Sequence, residues 1–173
     1  MKRPRPLRTP SAKRRTAMIV IAMALVVTPA VAIGQSADTD PVSVSPDKFK
    51  VLLENVYVRV VEYALGPGER DEWHTHPPKV SYVLNGGMLR ITLADSSSFD
   101  SEEKAGDVAW MNTLPLHFAR NVGATPVRIV LVEPKNGDFP PAPGEQDPAA
   151  VNPSSITVKL ENDLVRVMEA VLP

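Results

Sequence analysis

The chain has three histidines, and they fall in two short motifs: His74 and His76 in H-T-H, and His117 at the head of H-F-A-R-N. Side chains two residues apart on an extended strand point to the same face, so His74 and His76 can reach one point. A third imidazole on another strand, His117, can close a facial three-nitrogen site for a transition metal. Neutral imidazoles suit Fe, Zn, Ni, Cu or Mn, and the ligand set alone does not choose among them. The chain has no cysteine, so thiolate ligands, disulfides and a cysteine nucleophile are excluded. There is no phosphate-cradling glycine loop, no Ser-His-Asp arrangement in a nucleophile context and no pair of carboxylates at a defined spacing.

Histidines this far apart need strands to bring them together, and strand signals dominate the middle of the chain. Phe49–Leu53 and Val56–Ala64 are rich in β-branched and aromatic residues, with Glu54-Asn55 as the turn between them. Val80–Leu84 is a second apolar run, followed by Asn85-Gly86, which reads as a type I′ hairpin turn, and by the alternating segment Met88–Ala94. Asp95–Asp100 reads as a polar loop, and Val108–Met111, His117–Asn121 and Val127–Glu133 complete the series. Many short strands with regular turn signals predict an all-β sandwich or small barrel.

The residues framing the histidines are more specific than the histidines alone. Gly68 to His76 reads G-x5-H-x-H, and Gly106 to Asn121 reads G-x5-N-x-L-x2-H-x3-N. Together these resemble the two motifs of the cupins, over about residues 48–135. The resemblance implies a jelly-roll β-barrel (a double-stranded β-helix) with His74, His76 and His117 as metal ligands. The sequence departs from the family pattern in three places. Asn112 stands where the second motif has proline, and Leu114 where it has glycine. The glutamate of the first motif is missing, its place falling on Lys79, Val80 or Ser81, and no acid occurs from Trp73 through Ala94. The ligand set is thereby reduced to three histidines, as in some cupin dioxygenases, which leaves a coordination position for substrate, water or dioxygen.

Other side chains are candidates for holding a ligand. If strand parity carries through Pro77-Pro78, Lys79 projects into the barrel beside the metal and would attract an anion; if the prolines rotate the register, it points to solvent. Arg90 and Arg120 could hold a carboxylate bidentately, although both suit the surface. Asp71 and Glu72 could supply an oxygen ligand, or lie in a solvated loop before H-x-H. Trp73 and Trp110 read as packing residues, Tyr82 as core, and Asn121 as closing a turn or strand end.

The ends of the chain have a different character. Seven basic residues and no acid precede the apolar run Ala17–Ala32, which ends in Ala30-Val31-Ala32. Residues 1–32 read as a secretory signal peptide with an A-x-A cleavage site. Cleavage would leave 19 − 7 = 12 basic against 20 acidic residues, a formal charge of −8. An acidic protein in the periplasm or outside the cell is a poor partner for nucleic acid or an anionic membrane. The remainder divides into a flexible leader (33–47), the barrel (48–135), a Pro-rich extended linker (136–153) and a terminal segment (154–173) that repeats residues 49–66. At an offset of 107, residues 158–172 match residues 51–65 at nine of fifteen positions, including L-E-N and V-R-V-x-E. The copy has no histidine and cannot hold a second site. As a strand pair it would need a sheet edge, its own or that of a second copy in a homodimer. These readings converge on an exported protein that binds a divalent metal and a small organic ligand, an anion in one reading. The alternatives are a three-His iron-dependent dioxygenase and a degenerate, metal-free cupin with a binding or structural role.

Overall fold

The computed structural model describes residues 38–135 and 147–171. Residues 1–37, which include the segment read as a signal peptide with its cleavage site and the start of the leader, residues 136–146 of the linker and the last two residues lie outside these.

Eight strands build the barrel: β1 (Phe49–Glu54), β2 (Val58–Leu65), β3 (Lys79–Asn85), β4 (Gly87–Leu93), β5 (Ser98–Glu103), β6 (Val108–Met111), β7 (His117–Asn121) and β8 (Val127–Pro134). They form two facing sheets, in the orders β1-β2-β8-β3-β6 and β5-β4-β7. Strand β8 is the central one, antiparallel to β2 along one edge and to β3 along the other. Its sequence V-R-I-V-L-V-E buries every second residue, and the inward set is Val127, Ile129, Leu131 and Glu133. Val61, Tyr63 and Leu65 of β2, Val83 of β3 and Leu89 of β4 meet that row. Each full apolar burial of this kind is worth roughly 1.5–3 kcal/mol, and the alternation makes the register unambiguous.

Four local expectations give way. Asn85-Gly86 is not a hairpin turn, because β3 and β4 belong to different sheets. The step carries the chain across the barrel, and a Cβ on Gly86 would lie 2.3 Å from the Glu103 carbonyl oxygen. Glycine is needed there for close approach. Positive φ occurs instead at Gly68 and Gly106, the leading glycines of the two motifs, at 78° and 88°. The polar stretch Asp95–Asp100 is only half loop: Asp95–Ser97 make the turn, and Ser98–Asp100 open β5, an edge strand paired with β4 that its hydrogen bonds, not its hydrophobicity, define. Tyr82 is on the outer face of β3 and half-exposed, not in the core. The leader reading fails for residues 40–47. Asp40 caps the helical turn α1 (Pro41–Val44) through Val42 N–H, Pro41 and Ser45 are buried, and Val42 packs against the core.

The terminal segment repeats α1, β1 and β2 in structure as well as sequence. Asp147 caps α2 (Pro148–Val151) as Asp40 caps α1, and β9 (Ile156–Glu161) pairs with β10 (Arg166–Ala170). The pairing Glu161↔Arg166 reproduces Glu54↔Arg59, and both pairs of strands break register at the equivalent place, between Val51 and Leu53 and between Val167 and Met168. Asn55 Oδ1 accepts from the N–H groups of Tyr57 and Val58, as Asn162 Oδ1 does from Leu164 and Val165. The structural repeat thus starts at Asp40 and Asp147, earlier than the strands. The hairpin β9-β10 forms a two-stranded sheet of its own and lies beside β6, near Tyr82 and Val108.

Candidate metal centre

His117 opens β7, where β7 takes its place beside β4. His74 lies opposite it: the two residues exchange both backbone hydrogen bonds, at 2.8 and 3.0 Å. The H-x-H segment is therefore not a regular strand as expected, but an irregular edge tied to β7 at Arg70 and His74. That suffices to bring His74, His76 and His117 together, all buried, with their ligand atoms within 4.8 Å of one another.

The protonation pattern follows from what each ring touches. His74 Nδ1 lies 2.7 Å from the Glu72 carbonyl oxygen and His117 Nδ1 lies 2.8 Å from that of Pro115. A carbonyl only accepts, so both Nδ1 atoms carry the proton. His76 Nδ1 faces the Glu133 carboxylate at 3.3 Å and donates to it likewise. All three Nε2 atoms are then bare lone pairs, and those of His74 and His76 are 3.0 Å apart. Lone pairs at that distance repel unless a cation lies between them. Burial favours the neutral rings, holding His74 low, His117 at about 4 and His76 at about 3. Three neutral imidazoles converging by Nε2, each with Nδ1 anchored, are a fitting donor set for a divalent transition ion.

Glu133 is the residue that the sequence reading missed. It is buried, its Oε1 orients His76, and its Oε2 accepts from Arg59 Nε at 2.6 Å. Arg59 in turn reaches Asp40 at 2.6 Å, so the helical turn before the barrel supports a ligand inside it. The guanidinium and the His76 ring hold the Glu133 carboxyl below the usual range against the opposing effect of burial. The signal was available: Glu133 continues the inward parity of Val127, Ile129 and Leu131, where an acid is anomalous.

The cavity beside the histidines, about 140 Å³, is walled mainly by apolar side chains, among them Phe49, Leu89, Ile91, Ile129 and Leu131. Phe49 stacks on Tyr63 and meets His74 and His76 edge-on, at 5.2 and 5.7 Å between ring centres. Leu114, where the motif has glycine, adds its side chain to the lining. Of the three positions that could have held the family's glutamate, Lys79 and Ser81 line the cavity. Lys79 is 3 % exposed. The route is the reverse of the one expected: alternation from His74 and His76 would turn Pro78 inward, and the proline pair shifts the phase so that Lys79 and Ser81 enter instead.

The remaining candidates sort by location. Asp71 is buried, not solvated, and accepts from Tyr63 Oη at 2.8 Å and Ala119 N–H at 2.7 Å, which ties β2 to β7. Its carboxyl is raised to about 6, burial outweighing those donors. Glu72 is exposed and pairs with Arg70. Arg90 does not face the cavity: it is on the outer face of β4, half-exposed and paired with Asp100, because Leu89 and Ile91 take the inward parity. Arg120 is exposed too. Trp73 packs edge-on against Phe118 outside the site, and Trp110 Nε1 donates to Asn112 Oδ1. Asn121 closes the strand end from full burial, donating to Leu65 and Thr125 carbonyls and accepting from Gly123 N–H.

No protein-family model and no curated protein matches the chain. Among solved structures it is similar to a cupin domain from Bordetella pertussis, at 25% identity and a TM-score of 0.47, over 50% of this chain and 91% of that one. It is also similar to an RmlC-like cupin with a double-stranded β-helix fold from Methanocaldococcus jannaschii, at 17% and 0.42, over 50% and 78%. A protein with a double-stranded β-helix domain from Klebsiella pneumoniae matches at 24% and 0.41, over 61% and 87%. With two facing sheets and both histidine motifs meeting at β7, the chain is an all-β jelly-roll barrel, similar in fold to these double-stranded β-helix structures.

Proposed function

We propose that the protein is an exported metal-binding cupin that holds one divalent ion on His74, His76 and His117 and presents it to a small organic ligand, an anion, in the apolar cavity. The observation that carries this reading is the convergence of three Nε2 lone pairs whose Nδ1 atoms are all committed as donors. A bound ion would supply Lewis acidity and open coordination positions. The chain supplies orientation through Glu72, Pro115 and Glu133, a water-poor wall, and the Lys79 ammonium.

Metal analysis of protein isolated from its native compartment tests the reading. One divalent ion per chain is expected, and His117→Ala should lose most of it, because two imidazoles hold such an ion poorly. Stoichiometric metal in that variant, or none in the wild type, refutes the site. The alternative of a three-His iron-dependent dioxygenase uses the same three ligands, which among the described residues form the group without a carboxylate. It predicts iron as the native ion and oxygen consumption, where an inert binder holds zinc and consumes none.

A further inference from the structure

Lys79 Nζ is buried with no hydrogen-bond partner among the described residues. Such an ammonium is expensive to bury unless something answers its charge. The nearby acid that could do so is committed: Glu133 gives one oxygen to His76 and the other to Arg59. Glu103 lines the cavity but accepts from Ser101 Oγ, and Asp71 is held by Tyr63 and Ala119. The cavity wall thus carries, at Lys79, a cation whose charge no side chain of the described residues answers by a hydrogen bond.

We infer that the cavity takes a small monocarboxylate with an apolar body, its carboxylate against Lys79 and its remainder against Phe49, Leu89, Ile91, Ile129 and Leu131. This rests on the metal reading above for the second charge that the carboxylate meets. A carboxylate has two oxygens, one for the ammonium and one for the ion held by the histidines. Phosphate and sulfate esters fit worse, because they need several donors, and the cavity lining contains no arginine. A neutral amide of the same shape keeps the apolar contacts and loses the charge, which makes it the proper control.

The test is calorimetric titration of the zinc-loaded full-length chain with butyrate, benzoate and phenylacetate, each against its amide. At least one acid should bind about tenfold or more tightly than its amide, the scale of a charge-assisted hydrogen bond. Lys79→Met should abolish that preference at unchanged zinc stoichiometry, and it should raise the melting temperature, since an unanswered buried charge is removed. Acids that bind no better than amides, acids that fail to bind at about 10 mM, or a preference that survives Lys79→Met would overturn the inference. Should Lys79→Met not fold, the acid–amide comparison on the wild type decides alone. Failure of the metal reading looks different: the wild type takes up no zinc, while an acid preference that depends on Lys79 persists in metal-free protein.

Discussion

Residues 40–64 and 147–171 are the same local structure in two settings. Both begin with an aspartate cap and a proline-led helical turn, both hold their hairpin with an asparagine, and both break register at the same step. Even the ion pair between hairpin and turn recurs, Arg59 with Asp40 and Arg166 with Asp147. The first copy is docked along β8 and buries Phe49, Val61, Tyr63 and Leu65; the second keeps to a two-stranded sheet, with Met168 and Leu164 exposed. At an offset of 107, Phe49, Val61 and Tyr63 become Ile156, Met168 and Ala170. The comparison separates two kinds of information. Caps, turn and bulge are specified locally and survive without a partner sheet. Three of these four inward side chains diverge, because only the first copy must fit a cavity and three histidines.

The sharpest way to break this comparison is a matched truncation. Phe49→Ala should cost about 3–5 kcal/mol in urea unfolding, as expected for a buried aromatic, whereas Ile156→Ala should cost under about 1 kcal/mol. Equal losses would mean that the second copy is as deeply packed as the first. A second contrast lies in the arginines. Arg59→Ala strands Glu133 inside the barrel and should cost about 3 kcal/mol and weaken metal binding, read by competition with a chromophoric chelator. Arg166→Ala, whose partners are exposed, should cost between zero and about 1 kcal/mol.

The third contrast is in pH. Tyr63 has the Asp71 carboxyl as its partner, and its counterpart Ala170 has none to offer. Asp71 is raised from 3.8 to about 6 in the fold. Between those values the native state binds the proton that the unfolded state has released, so this group's contribution falls as pH rises from about 4 to 6 and is constant above. A rise of that size corresponds to on the order of 3 kcal/mol. Asp71→Asn should therefore gain stability relative to wild type across that window, and a difference that does not change with pH would count against the assignment. The smallest effect is expected from ending the chain after Lys135. The barrel should melt within a few degrees of the full chain, equivalent to less than about 1 kcal/mol. Loss of the barrel's cooperative unfolding would show that the second copy is integral to it.

Much of this was legible in the sequence because it is periodic or punctuated. The alternation in β8, the turn at Asn55 and the spacing of the histidine motifs each have a local physical cause. What was not legible depended on partners. Strand β5 has no apolar face, since its ladder bonds to β4 define it. Asn85-Gly86 has the composition of a hairpin, but which sheet receives the next strand is a tertiary matter. Glu133 could have been found from parity alone, whereas the inward turn of Lys79 depends on how two consecutive prolines shift the strand phase. The burial of Asp71 depends on a hydroxyl and an N–H from two different strands.

The anchoring of the three rings has a consequence for how the site comes into being. His74 and His117 each take their orienting carbonyl from two residues earlier, so a short loop suffices to aim them. His76 takes its orientation from Glu133, 57 residues away and on the central strand. Two rings are thus oriented by local chain geometry, and the third is oriented only when β8 has docked against β2 and set Glu133 between His76 and Arg59. Metal uptake, if the three histidines hold an ion, would therefore depend on the docking of β8. An ion on all three histidines would hold β8 in place through His76 and Glu133, and loosening β8 would weaken the ion's hold before the barrel unfolds.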